Sequence, residues 1–300
     1  MPDSKKALNN IKTSPFLQKS KKIAEVIKEV PTLPLVILIC MIFLAVFADW
    51  VSPHSPLRGA IGKSLIPPAW MDGGSLTHMF GTDRFGRDIL SRLIYGARVS
   101  MSVAFLSIGI TASFGTVVGL ISGFYGGRID SLLMRIADLF LSIPGILVAL
   151  LLAVILGPSY TNVIIIVLVI LWPRFARQVR GETLSIKEMD FVVLAQAMGV
   201  SSFSIMRNHI FPNVIPSLLV LSTFEVGFVV ILEATLAFLG VGIPPPNPSW
   251  GIMISEGRNY LESAWWMSLF PGIGIGLTVF SLNMAGDWVR DKLDPKLRQI

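Results

Sequence analysis

Hydrophobic and polar positions alternate along this chain in long blocks. Six stretches are almost free of charge: 34–51, 99–124, 136–156, 160–173, 213–241 and 264–286. Most approach or exceed the ~20 residues that cross a bilayer core as helix. The fourth is shorter and borrows the start of the polar turn behind it. The pattern predicts an all-α membrane protein with six transmembrane helices. With both termini inside, the inner segments hold 18 of the 25 Lys and Arg residues, in line with positive-inside asymmetry. Six of the other seven fall between 52 and 98, against that trend. The expected division is a cytoplasmic Lys-rich tail (1–33), a first transmembrane helix (34–51), an external loop with an interfacial helix (52–97), a transmembrane core (98–287) and a cytoplasmic tail (288–300). The first tail carries Lys5, Lys6, Lys12, Lys19, Lys21, Lys22 and Lys28, suited to anionic lipid, and an amphipathic pattern over 23–30.

Composition acts mainly by exclusion. With 53% hydrophobic and 15% charged residues and a mean hydropathy of +0.69, the chain is no ordinary soluble domain. Its pI near 9.6 reports topology; no basic patch interleaved with aromatics suggests a nucleic-acid partner. Cys40 is alone, so no disulfide framework or thiol metal site is expected. The start reads as an uncleaved first helix, for no small-residue cleavage pattern adjoins the first apolar run. Gly62-Lys63-Ser64 would need a glycine where Leu57 stands to make a phosphate-cradling loop. His54, His78 and His209 show no metal-ligand spacing and no Ser-His-acid set. No catalysis, metal or bound cofactor is expected of this chain.

A long polar break, 174–213, lies between two apolar stretches. Asp190 is expected to cap a short helix in which Phe191, Leu194, Ala195 and Met198 fall on one stripe. Gly199 allows a left-handed exit, with Ala197 on the exposed turn. Ser201 or Ser202 starts a second short helix with Phe203, Met206 and Ile210 on one side, before Pro212 interrupts it. The stripe either packs under the chain's own helices or docks a partner. Arg174, Arg177, Arg180, Lys187 and Arg207 place this knob in the cytoplasm.

Elsewhere, Asp83, Arg84, Arg87 and Asp88 are expected to pair among themselves, next to a helix face of Ile89, Leu93 and Ala97. Gly109, Gly115 and Gly119 permit close helix approach. Arg135 and Asp138 are spaced to neutralise each other. Pro144-Gly145 should kink the third helix, and the fourth should end at Pro173. Trp250, Trp265 and Trp266 read as an interfacial belt. Glu225 and Glu233 lie on one helix within about one face. At bilayer depth a carboxylate is costly, so they either line a polar path or sit packed and protonated.

The residues also carry a resemblance. The 174–213 stretch resembles the coupling loop of ABC importer permeases: Val193, Leu194 and Ala195 stand in the Glu-Ala-Ala places, Gly199 and Pro212 in the Gly and Pro places. The Glu is missing. Arg207 to Asn213 is similar to the ending of that loop in the dipeptide/oligopeptide/nickel branch. Gly81-Thr82-Asp83, Gly86-Arg87-Asp88, Gly96-Ala97-Arg98 and Ser100 resemble a block lying between the first two transmembrane helices of that branch. The resemblance covers about 34–295 and is to the second, C-type permease, with a type I ABC importer permease fold.

That resemblance implies a coupling helix seated on an ATPase (Asp190, Phe191, Leu194, Ala195, Ala197, Met198, Gly199, Ser201, Phe203, Arg207). It implies a second homologous permease, two ABC ATPase subunits carrying ATP-Mg, an extracytoplasmic solute-binding protein, and di- or oligopeptide cargo. The alternative is a proton-coupled secondary transporter using Glu225 and Glu233.

Overall fold

The computed structural model describes residues 31–293. The expectations for the seven lysines, for the amphipathic pattern over 23–30 and for the end of the C-terminal tail lie outside the described residues. Within them the regular structure is helical, apart from one isolated bridge between Thr82 and Asp88. The helices are α1 (Thr32–Val46), α2 (Ala48–Val51), α3 (Ile89–Tyr125), α4 (Gly127–Ser142), α5 (Gly145–Leu156), α6 (Tyr160–Lys187), α7 (Asp190–Ala197), α8 (Ser202–Ile205), α9 (Phe211–Phe238), α10 (Trp250–Gly257) and α11 (Trp266–Leu293).

Several element boundaries differ from the sequence expectation for physical reasons. The expected interfacial helix and the second apolar stretch are one helix, α3, of 37 residues. No proline lies between Asp88, whose side chain caps the start, and Gly126, whose φ of +66° ends it. Pro144 does more than kink its segment. Ile143 before it is held extended, and α4 and α5 meet at 89°. The residue before a proline is pushed out of helical conformation.

Pro173 does not end α6, which runs on for 14 residues. Trp172, Phe175, Ala176, Val179, Thr183 and Ile186 are buried there, a 3.6-period face that fixes the polar half of the helix against its neighbours. Pro212 likewise sits inside a continuous helical run, Ser202–Phe238. A π turn over Met206–Ile210 precedes it, with the Phe211 amide reaching back to the Met206 carbonyl. Such turns re-route hydrogen bonds around a residue with no N–H.

Four runs are long and apolar enough to cross a membrane: α3, α6, Ser202–Phe238 and α11. The bent pair α4–α5 makes a fifth if it is one span. Six was the expectation. The shortfall comes from α1, which has 15 residues before its break at Phe47, and from the α4–α5 bend.

The centre of the molecule is the seam between α3 and α6. A Cβ on Gly115 would lie 2.5 Å from Cβ of Phe175, one on Gly119 2.6 Å from the Ala176 carbonyl oxygen, and one on Gly123 2.7 Å from Cβ of Thr183. Small residues let two backbones approach in a medium that offers helices no hydrophobic reason to associate. Gly109, grouped with them in the sequence, faces open space.

The tryptophans correct the belt expectation. Trp250 is buried, its indole N–H donating to the Leu93 carbonyl at 3.0 Å and its ring lying over Gly96 and Gly274. Trp266 is buried too and donates to the Thr82 carbonyl at 3.1 Å, while Trp265 packs edge-on against it. A buried indole needs a partner for its N–H; a carbonyl near the start of α3 supplies one and the Thr82 carbonyl before α3 the other.

Gly119→Val should lower stability by about 1–3 kcal/mol or more, the cost of forcing extra carbons into a filled seam. Gly109→Ala should stay within about 0.5 kcal/mol of the parent. Thermal unfolding of the two purified variants in one detergent checks the contrast.

Candidate functional site

The two short helices after α6 carry the candidate docking residues. Asp190 is the first residue of α7 and exposed; Met189 holds the capping position, and no side chain caps the helix. The Asp190 cap expectation is corrected, though a carboxylate in the first turn still complements the helix dipole. At the other end Gly199 has φ +78°. The amide of Gly199 bonds the Gln196 carbonyl at 3.0 Å and that of Val200 bonds the Ala195 carbonyl at 3.1 Å, the paired closure of a Schellman turn. Ser201 then caps α8, its hydroxyl accepting from the Ser204 amide.

This turn divides the apolar residues into two sets. Val192, Ala195, Ile205 and Ile210 are buried and pack with Phe124, Val179, Ile186 and Val214 from the ends of α3, α6 and α9. Phe191, Val193, Leu194, Met198 and Phe203 are exposed, Met198 by 76% and Phe203 by 69%. Ala197, Gly199, Ser201 and Arg207 lie exposed around them. The single stripe expected from spacing is therefore two faces: Ala195 and Ile210 anchor the knob, while Phe191, Leu194, Met198 and Phe203 form an outward patch. Single exposed apolar residues are ordinary; five on one small knob suit a partner surface.

Four basic residues of the polar break, Arg174, Arg177, Arg180 and Lys187, are engaged within the chain. Arg174 bonds Glu225 at 2.9 Å, Arg180 reaches Asp130 at 2.6 Å, and Lys187 donates to the Phe124 carbonyl at 2.6 Å. Arg177 pairs with Asp138, which corrects the expected pairing of Asp138 with Arg135. These contacts clasp α6 to α3, α4 and α9, just before the knob begins.

The two glutamates of α9 face different neighbours. Glu225 is nearly buried against Arg174 of α6, and Arg174 in turn lines a cavity of about 480 Å³ with Arg177, Gln178 and Glu182. Glu233 is fully buried. It accepts from the Ser100 hydroxyl of α3 at 3.1 Å, and the Ser249 side chain, at the start of α10, also lies against this carboxyl. Ser100 also accepts from the Trp250 amide at 3.3 Å, so Glu233 belongs to a junction of α3, α9 and α10.

At the opposite end of α3, the 81–88 motif builds a latch. Gly81 and Gly86 have φ of +80° and +72°, and a Cβ there would meet the Ile66 and Ala60 carbonyl oxygens at 2.5 and 2.1 Å. Thr82 donates to the Lys63 carbonyl at 2.6 Å and accepts from the Ile66 amide at 2.9 Å. Asp83 is wholly buried. It accepts from the amides of Phe85 and Arg87 at 2.8 and 2.9 Å, from Nε of Arg87 at 2.5 Å, and from Arg92. Arg87 and Arg92 continue to Glu256 of α10 at 2.9 and 2.7 Å. Two arginines and two carboxylates thus balance in one buried cluster.

The pairing expected within 83–88 is only partly present. Arg84 stacks on the Phe85 ring instead, and Asp88 caps α3 through Ser91 and meets His78 at 3.0 Å. Sequence reading missed Arg92 and Glu256. Arg92 lay just past the motif at a helical spacing from Asp88; Glu256, 164 positions further on, gave no local signal. His54 and His78, which show no metal-ligand spacing along the chain, come to a ring distance of 4.9 Å beside Asp88. One ligand atom from each of the three lies within 4.8 Å of the others.

Four or five apolar spans, a glycine seam and buried charges that are mutually neutralised define a polytopic α-helical membrane protein. The family described as binding-protein-dependent transport system inner membrane component matches residues 115–299, and the chain belongs to it: it is a multi-pass inner-membrane permease subunit of the ABC importer type and is itself non-catalytic. A putative peptide transport system permease of Brucella suis is 40% identical over 88% of this chain and 87% of its own length. The dipeptide transport system permease DppC of Escherichia coli K12 is 40% identical over 88% of each. The di/tripeptide transport system permease DppC of Pseudomonas aeruginosa is 37% identical, with 88% and 87% covered. A structure of the MetNI methionine ABC transporter in inward-facing conformations shares the fold at a TM-score of 0.56 and 21% identity, over 69% of this chain and 98% of that one.

Asp83→Asn should cost about 3–5 kcal/mol, because it leaves Arg92 buried with half its counter-charge. Denaturant unfolding in detergent measures it; an Arg84→Ala control should stay near the parent.

Proposed function

We propose that this chain is one half of the transmembrane pathway of a peptide importer. It pairs with a second homologous permease, and ATP is bound with Mg²⁺ and hydrolysed on two separate ABC ATPase subunits. An extracytoplasmic solute-binding protein delivers di- or oligopeptides. Peptide cargo rests on the names carried by the three relatives above. Both termini lie in the cytoplasm, with α1–α2 and α4–α5 each counted as one of six crossings, so that the α7–α8 knob faces the ATPases.

The observation that carries this reading is the two-faced knob. Its inner face is locked to the ends of α3, α6 and α9, and its outer face presents Phe191, Leu194, Met198 and Phe203. A displacement imposed on the patch by nucleotide-driven closure passes as a rigid-body movement into α6 and α9. The Arg180–Asp130 and Arg177–Asp138 pairs spread that movement to α4, the Arg174–Glu225 pair ties α6 to α9, and Lys187 on the Phe124 carbonyl carries it to α3. Access then alternates from one side of the membrane to the other. The missing Glu at Val193 means that an acidic residue at that place is not required here; the patch relies on shape and apolar area.

The competing proton-coupled reading makes Glu233 the working group. It is disfavoured by the seat of Glu233 inside the junction of Ser100 and Trp250, where Gln can substitute in shape. The complete complex reconstituted in proteoliposomes with its binding protein and labelled dipeptide separates the readings. Leu194→Ala/Phe203→Ala should reduce ATP-driven uptake about 10–100-fold, the loss expected when two central apolar contacts are truncated, with thermal stability unchanged. Gly199→Val should do at least as much, by straining the turn, while Glu233→Gln should retain most uptake. Nucleotide-independent uptake driven by a pH gradient and abolished by Glu233→Gln would overturn the proposal.

A further inference from the structure

His54 and His78 are brought together by the chain's return onto the start of α3. The His54 amide donates to Ser91 Oγ at 3.0 Å, and Ser91 Oγ donates to Asp88 Oδ2 at 2.7 Å. The His78 amide bonds the Ser75 carbonyl at 3.0 Å, and its Nδ1 lies 3.0 Å from Asp88 Oδ1. The His54 Nδ1 stands 3.9 Å from Asp88 Oδ2, too far for a hydrogen bond. His78 is buried with its second ring nitrogen, Nε2, unpartnered among the described residues. An N–H or lone pair in that position normally has a partner, and none of the helix-capping bonds around Asp88 supplies one. The His54 side chain is 40% exposed, which opens the group to solvent on one side.

Two imidazoles and a carboxylate are the donor set of borderline transition metals. Ca²⁺ and Mg²⁺ take oxygen shells instead. We propose that His54, His78 and Asp88 bind one divalent transition-metal ion of the Zn²⁺ class at the N-terminal end of α3. Bonds of about 2.0–2.1 Å place tetrahedral ligands about 3.3 Å apart. Ligand atoms now within 4.8 Å of one another reach that by a small swing of the exposed His54 ring. Three protein ligands leave a fourth position for water. Asp88 keeps its cap on α3 through Oδ2, held by the Ser91 amide and hydroxyl, while Oδ1, now against the His78 ring, turns to the ion. The ion ties the 52–78 segment to α3 beside the buried Asp83–Arg87–Arg92–Glu256 cluster. The inference does not depend on the cargo or on the orientation proposed above.

The test uses the purified full-length chain in detergent, stripped of metal, titrated with Zn²⁺ against a competing chelator. The chain has three histidines, and His209 lies by the knob, near Phe191, so His209→Ala is the control. One Zn²⁺ per chain is expected, with at least a 10-fold weaker affinity in His54→Ala, an unaltered metal-free melting temperature for that variant, and no change in His209→Ala. Co²⁺ in place of Zn²⁺ should give a visible absorption band in the parent that His54→Ala lacks. Absence of a one-to-one site, or a site indifferent to His54→Ala, overturns the proposal. Because His78 is buried and its truncation can unfold the segment, the discriminating variant is His54→Ala.

Discussion

The arrangement rests on how closely α3 and α6 approach. At Gly115, Gly119 and Gly123 no side chain fits between them, so the seam behaves as a single two-helix beam. Lipid does not drive helices together as water does; van der Waals contact and interhelical hydrogen bonds must. A seam without side chains maximises the first. The beam is long because α3 spans 37 residues and because α6 is helical through Pro173. It therefore links the Asp83–Glu256 latch at one end with the α7–α8 knob at the other.

Charge is handled by the same economy at both ends. Each of these arginines has its carboxylate: Arg174 with Glu225, Arg180 with Asp130, Arg87 and Arg92 with Asp83 and Glu256. Removing charges from water is costly enough that such pairs add little net stability, whereas an unmatched member is strongly destabilising. The pairs thus act as alignment devices. They fix which turn of α6 meets which turn of α9, and at what height the 81–88 motif meets α10.

Much of this was legible from the residues. The apolar blocks located four of the long helices, Gly199 and Ser201 located the knob, and Gly81 and Gly86 stood out only through the family block, their positive φ angles being visible in the structure alone. What was not legible was pairing at long range. Asp138 chose Arg177 over Arg135, and Glu256 closed a cluster 164 positions away from Arg92. Trp250 and Trp266 entered the interior because loop and helix carbonyls satisfied their N–H groups. Prolines misled in the opposite way. Pro173 and Pro212 read as breaks, yet buried faces on either side held the helix through them, whereas Pro144 lacked such support and the chain bent. The stripe on α7 was found but assigned to one face, since spacing alone does not say which shoulder of a stripe touches the protein.

The knob's two faces have a consequence for the kinds of change it can absorb. In two turns of helix, adding or removing one residue between Phe191 and Ala197 rotates everything downstream by about 100°. That would expose Ala195, bury a neighbour of different volume, and re-aim the Gly199 turn. Side-chain identity on the outer face can drift within wide limits while the length of the segment cannot. An insertion scan would find the surface of this knob as intolerant as the middle of a transmembrane helix.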